Sequence, residues 1–219
     1  NWQFAYDASG MRRTRTDTES GDIYRYFYTG GQLKSMRAET VEAYVDYTFY
    51  YDAGGNPLAA SYFVDYWGVG EYSGLFEGMF YYVTNAQGDV TALVSETGEL
   101  LVTYDYDAWG KPVRTDYYEV YTDYGLAEAS QFVSQNPFRY RGYVYDTETG
   151  LYYLQSRYYD PEVGRFINAD AFAATGQGLT GNNQFAYCGN NPVCRLDSQG
   201  YMYDWAMGRS RDGFIMVSG

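Results

Sequence analysis

The sequence predicts an all-β protein of stacked antiparallel hairpins, and three observations carry that prediction. Aromatic residues make up 21% of the 219 positions, with 29 tyrosines, a residue suited to a pleated, half-buried surface. Glycine is plentiful at 25 and proline scarce at 5, so turns are supplied without breaking strands. A degenerate unit also recurs: an aromatic pair, an Asp or Thr, a small residue and a Gly, then polar–apolar alternation.

The copies follow in order. They are Phe4-Ala5-Tyr6-Asp7-Ala8-Ser9-Gly10, Tyr26-Phe27-Tyr28-Thr29-Gly30-Gly31, Tyr50-Tyr51-Asp52-Ala53-Gly54-Gly55 and Tyr104-Asp105-Tyr106-Asp107-Ala108-Trp109-Gly110. The related Tyr81-Tyr82-Val83-Thr84-Asn85-Ala86-Gln87-Gly88 lies between the last two. Tyr143 to Gly150 and Tyr158 to Gly164 continue the series. Aromatics alternate along each strand, the Asp bonds local backbone, and the Gly takes the positive φ that closes a hairpin. A lone hairpin is marginal, so the units must stack, and residues 1–160 read as successive hairpins in one winding sheet. Asp65 to Gly78 reads as a Gly-rich loop between hairpins. Tyr124 to Asn136 reads as either a short helical turn or an ordered insertion. After Asp170 the periodicity breaks into coil with short turns. In the tail, Asp204 to Gly208 and Phe214 to Val217 are apolar enough to dock on the body.

Composition excludes several function classes. A net charge of −13 argues against nucleic-acid binding, which needs a basic footprint. Histidine is absent, which removes Ser-His-Asp triads, Cys-His dyads and His-ligated zinc. Acid–base work must fall to carboxylates, Tyr, Lys or Cys. Cys188 and Cys194 have no further Cys or His to complete a metal site; they read as a disulfide or, more favoured, as two small buried hydrophobes. There is no calcium loop and no phosphate loop. No cofactor or metal is expected. No stretch approaches the ~20 apolar residues of a membrane helix. The opening Asn1-Trp2-Gln3-Phe4 reads as mid-strand, not as a signal peptide, and suggests a piece of a longer polypeptide.

The run Tyr140-Arg141-Gly142-Tyr143, Leu151-Tyr152-Tyr153-Leu154-Gln155-Ser156-Arg157-Tyr158-Tyr159-Asp160-Pro161, Gly164-Arg165-Phe166-Ile167 and Asn190-Asn191-Pro192-Val193 closely resembles the RHS-repeat (YD-repeat) proteins. The match is strongest over 137–200, the RHS-associated core. The resemblance implies YD repeats over 1–136, the core over 137–200 and a tail over 201–219. It implies part of a spiralling β-shell closed at one end by the core, with short helical turns. It further implies a core that cuts its own chain as an aspartyl-type protease, detaching a C-terminal toxin segment. Catalytic roles are carried to Asp170, Asp197 and Arg157, and cleavage to the region of Gly200, Tyr201 and Met202. Partners implied are the chain's own upstream repeats and the downstream toxin segment, in a secreted or wall-associated setting. Two departures stand out: Ala171 and Ser198 occupy positions where the family usually has proline, which loosens turn geometry.

Two carboxylates brought together cannot both ionise cheaply, so one keeps a proton while the other acts as base on water. Arg157 could hold one carboxylate charged or receive the developing oxyanion. Plainer roles compete. Asp7, Asp52, Asp107, Asp146 and Asp160 are expected only to bond their own loops. Arg157 could equally serve as partner to Asp160 or to a backbone carbonyl. The tyrosine rows could stack on cell-surface glycans, but strand spacing favours cross-strand packing. The alternative function is an inert structural or adhesive YD-repeat module.

Overall fold

The computed structural model describes residues 1–67, 74–122, 125–169, 183–197, 200 and 204–205. Each Asp-centred unit closes a hairpin by the same device. Asp7 accepts the amides of Ser9 at 2.9 Å and Met11 at 3.0 Å, while Gly10 sits at φ 84°. Asp107 does the same for Trp109 at 2.8 Å and Lys111 at 2.9 Å, with Gly110 at φ 87°. Asn85 and Ser95 take the aspartate's place in two further turns, accepting Asp89 N–H and Glu99 N–H, each at 3.0 Å. A left-handed glycine three residues after the capping side chain adds one residue to one strand and increases local twist.

Ten strands follow one another in a single antiparallel sheet in sequence order. They are β1 Trp2–Tyr6, β2 Arg12–Asp17, β3 Ile23–Thr29, β4 Gln32–Glu39, β5 Ala43–Tyr51, β6 Pro57–Tyr66, β7 Gly74–Thr84, β8 Val90–Ser95, β9 Leu100–Tyr106 and β10 Pro112–Tyr117. Both ends of the expected loop over 65–78 are strand, β6 running to Tyr66 and β7 starting at Gly74, while 68–73 lie outside the described residues. A small hairpin, β11 Glu119–Thr122 with β12 Gly125–Glu128, leads into one helical turn, α1 Ser130–Val133. Then β13 Val144–Asp146, β14 Leu151–Tyr153, β15 Tyr158–Asp160 and β16 Arg165–Phe166 form a separate four-stranded sheet. Residues 1–160 are therefore divided among three sheets, the β11–β12 pair included, rather than forming one. A final pair joins β17 Arg195–Leu196 to β18 Asp204–Trp205.

The small sheet is clasped on both faces by the two ends of the large one. Tyr153 pairs across the ladder with Tyr158, and Tyr152 with Tyr159. Neighbouring residues in a strand point oppositely. The Tyr158 hydroxyl meets that of Tyr6 at 2.8 Å, and Tyr153 accepts Arg12 N–H at 2.9 Å, so this face covers β1 and β2. Tyr152 donates to Gly110 O and Tyr159 to Trp109 O, both at 2.7 Å, so the other face covers the β9–β10 turn. Ten flat strands would hold their outer members roughly 43 Å apart, whereas layers packed on the two faces of one sheet lie only about 20 Å apart. The long sheet must curl into a spiral for both contacts to exist.

Inside the curl lies the 129–138 segment. Phe132 stacks on Tyr62 with centroids 5.1 Å apart, and Phe138 meets Phe49 edge-on at 4.9 Å. Inward-facing tyrosines bond the segment's polar groups: Tyr47 donates to Phe132 O at 2.6 Å, Tyr66 to Gln131 O at 2.7 Å, and Tyr82 to Asn136 Oδ1 at 2.6 Å. The rings fill the core while the hydroxyls satisfy backbone that the sheet cannot reach.

Asp7, Asp52, Asp107 and Asp160 do cap their own turns. Asp146 does not behave as expected. Its carboxylate is wholly buried and takes both terminal nitrogens of Arg12, with Nη2 at 3.0 Å, and Arg15 Nη1 at 3.0 Å. Arg15 also reaches Glu148 at 2.7 Å. The Arg12 guanidinium lies over the rings of Tyr26 and Tyr153, at 4.4 and 4.6 Å.

Asp146→Asn should lower the unfolding free energy by about 3–5 kcal/mol, because it strands buried arginines, while Asp7→Asn, which keeps the Oδ1 acceptor of a solvent-exposed turn, should leave the urea midpoint nearly unchanged; urea unfolding of both variants checks the contrast. Burial pushes the phenols of Tyr24, Tyr104 and Tyr140 from 10 up to about 12. Unfolded phenols ionise first, so stability should be full below pH 10 and fall as pH rises from 10 towards 12, read as a declining melting temperature.

Candidate functional site: an arginine clamp on the Asp197–Gly200 turn

The site forms where β15 begins and the chain leaves β17. Arg157 immediately precedes β15, and its guanidinium lies over the Phe166 ring of β16 at 3.6 Å. From there it gathers two segments, the Asp197–Gly200 turn and the chain at Gln184. Nε donates to Gly200 O, Nη1 to Gln184 O at 3.1 Å, and Nη2 faces Asp197 Oδ2 at 3.4 Å. The other Asp197 oxygen, Oδ1, accepts Gly200 N–H at 2.8 Å. Both Arg157 and Asp197 are more than nine-tenths buried. In that setting a charge-assisted bond is stronger than it would be in water.

Gly200 is held at each of its backbone handles. Its N–H meets Asp197, its carbonyl meets Arg157, and its φ of 74° is left-handed. A Cβ there would lie 2.6 Å from Ser156 Oγ and 3.0 Å from Leu154 O. Only glycine fits both the conformation and the space. The cradle is made by the turn Leu154-Gln155-Ser156-Arg157, in which Gln155 itself takes φ 65°. Left-handed non-glycine residues of this kind persist only where the surroundings over-determine them.

Behind the turn, Asp197 N–H donates to the Tyr143 hydroxyl at 3.2 Å, and that hydroxyl meets Tyr187 Oη at 3.2 Å. Burial raises both phenols well above the usual tyrosine range. Cys188, next in sequence, is also buried, and its thiol is pushed up to about 12 by that burial. The two cysteines are free thiols, Cys188 buried and Cys194 exposed. The buried-hydrophobe reading thus describes Cys188 and not Cys194. A cleft of about 150 Å³, lined by Tyr28, Tyr51, Phe138, Tyr143, Leu154 and Leu196, opens beside this cluster.

Of the residues singled out in the sequence, the structure brings Arg157, Asp197 and Gly200 together. Asp170, Tyr201 and Met202 lie outside the described residues. Arg157 is not the partner of Asp160, which caps Glu162 N–H at 2.8 Å. Sequence reasoning missed Tyr143, Tyr187 and Ser156. Among the described residues no group of three His, Cys, Asp or Glu side chains could hold a metal ion, and no helix is long and apolar enough to cross a membrane.

No family model matches the chain. It is 34% identical over 198 residues to the tRNA3(Ser)-specific nuclease WapA of Bacillus spizizenii, a match covering 90% of this chain and 7% of that protein. It is 29% identical over 219 residues to double-stranded DNA deaminase toxin A of Burkholderia cenocepacia, covering 94% of this chain and 14% of the toxin. Among solved structures, the TcdB2–TccC3 assembly without its hypervariable C-terminal region matches with a TM-score of 0.65 at 21% identity, over 91% of this chain and 9% of that one. The Photorhabdus luminescens Tc holotoxin pore matches with a TM-score of 0.65 at 20% identity, over 96% and 9%.

Gly200→Ala should disorganise the turn at a cost of about 1–3 kcal/mol, seen as a lower urea midpoint. At pH 8 a thiol reagent should modify Cys194 and spare Cys188 until the protein unfolds, giving one reactive thiol in the native chain and two in denaturant. The chain is thus similar in sequence to a short stretch of the WapA nucleases and has the curled β-fold of a short stretch of TcdB2–TccC3.

Proposed function

We propose that this chain is the closing module of a large toxin polypeptide and that it cuts its own backbone just beyond Gly200, freeing the segment that follows. The carrying observation is the hold on Gly200. Arg157 and Asp197 grip the peptide groups on either side of its Cα in a buried, glycine-only turn. Such a grip holds the Gly200 carbonyl, the acyl side of the bond to be cut, in one fixed geometry, which supplies proximity at no cost at the moment of reaction.

The relatives support a carrier role rather than an effector role. One is named a tRNA nuclease and another a DNA deaminase toxin, yet this chain matches only a small share of each. A stretch common to proteins of unlike chemistry carries what they share, not what divides them.

The proposed chemistry needs no histidine and no metal. Asp170 and Asp197 share one proton; the ionised carboxylate takes a proton from water, and the resulting hydroxide adds to the peptide carbonyl. Arg157 stabilises the oxyanion, and the protonated carboxyl returns its proton to the leaving amine. An inert scaffold is the second reading. One observation favours it: both carboxylate oxygens of Asp197 are already engaged in holding the turn.

Intact-mass measurement of the purified chain over days separates the two. The proposal expects a break in the 200–202 region, with Asp170→Asn and Asp197→Asn slowing it on the order of 10²–10⁴-fold. A wild-type chain that keeps its full mass leaves only the scaffold.

A further inference from the structure

We infer that Tyr143, braced by Tyr187, is the positioning residue of the Asp197 turn; its effect on rate rests on the cleavage proposed above, while its structural role does not. Asp197 accepts Gly200 N–H through its side chain, so the aim of that carboxylate depends on where its main chain is fixed. The Tyr143 hydroxyl fixes it, accepting Asp197 N–H at 3.2 Å from a residue 54 positions away. Its remaining contact is the Tyr187 hydroxyl at 3.2 Å, so the two phenols form a buried relay ending on the amide of Asp197.

Two independent features mark this relay as more than core packing. A phenylalanine at either position would fill the same volume without burying a hydroxyl, and burying a hydroxyl is costly unless it is bonded. Both tyrosines are also delivered by left-handed turns. Tyr143 follows Arg141 at φ 57° and Gly142 at φ 67°, and Tyr187 precedes Cys188, Gly189 and Asn190 at φ 50°, 58° and 61°. The Arg141 turn is held by Asp89, which accepts its amide at 3.1 Å, and by guanidinium bonds to Gln87 O at 2.7 Å and Pro192 O at 2.6 Å. The rings cannot swing away: Tyr187 lies 4.0 Å from Tyr159 between centroids, and Tyr143 lies 6.2 Å from Tyr152.

The test uses the full chain and two readouts. Tyr143→Phe should speed hydrogen exchange at the Asp197 amide about tenfold, the weight of one lost hydrogen bond. Exchange at the Tyr47 amide, in the middle of the large sheet, should stay unchanged. The same variant should slow self-cleavage about tenfold, and 3-fluorotyrosine at 143, which keeps the hydroxyl, should restore both. An Asp197 amide that exchanges as in the wild type overturns the inference. If the wild type never cleaves, the proposed function falls, and amide exchange still decides whether Tyr143 holds Asp197. If Tyr143→Phe fails to fold, Tyr187→Phe takes its place. It removes the brace and keeps the acceptor, so exchange at Asp197 should rise about threefold, and an unchanged rate overturns the inference.

Discussion

The buried carboxylate of Asp146 is the interaction on which the rest of the architecture depends. It accepts from Arg12 and Arg15, 134 and 131 residues away, and so binds the first hairpin of the long sheet to the small sheet that closes it. A buried ion pair contributes little net stability compared with well-packed apolar residues. Its value is in registry. Two guanidiniums and one carboxylate can be satisfied in only one docking of β2 against β13, and a slip by one residue would strand three charges away from water. The Tyr26 and Tyr153 rings around Arg12 add cation–π attraction and restrict the guanidinium further.

Tyrosine serves the opposite end of the same problem. A curled sheet encloses a segment, 129–138, in which the Gln131 and Phe132 carbonyls accept from tyrosine hydroxyls rather than from strand amides. Phenylalanine would fill that interior and leave the carbonyls orphaned; serine would bond them and leave holes. Tyr47 and Tyr66 do both at once, ring in the core and hydroxyl on a carbonyl. The abundance of tyrosine follows from enclosing irregular backbone inside a β-spiral. A requirement for ligand rings on the outside is not needed to explain it.

Local features of this fold were legible in the sequence and distant ones were not. The Asp-x-x-Gly turns could be read because cap and glycine lie within four residues, as at Asp7 and Asp107. The break in alternation over 124–136 left a helical turn and an ordered insertion both open, and the segment holds β12 followed by α1. Asp146 resembled those caps in its Tyr-Asp context, and nothing nearby showed that two arginines more than a hundred residues upstream would claim it. The doublets Tyr152-Tyr153 and Tyr158-Tyr159 looked like more of the same repeat. Their meaning, a sheet buried on both faces, appears only once both ends of the long sheet are in place. At the site, Arg157, Asp197 and Gly200 were marked by their motifs. Tyr143 and Tyr187 were hidden among 29 tyrosines, with no local signal to separate a hydroxyl that holds the Asp197 turn from one that packs a core.

The contact between Tyr6 and Tyr158 joins residues 152 apart. A ribosome releases the amino-terminal hairpins long before it makes the residues that clasp them. Until then the face of β1 and β2 that Tyr153 and Tyr158 cover stays open, because such distant contacts form slowly. The clamp on Gly200 needs Arg157 seated at β15, and β15 is seated by the same clasp. The nascent chain therefore carries its own delay: the grip on Gly200 cannot form before the two ends of the long sheet have closed on the small one.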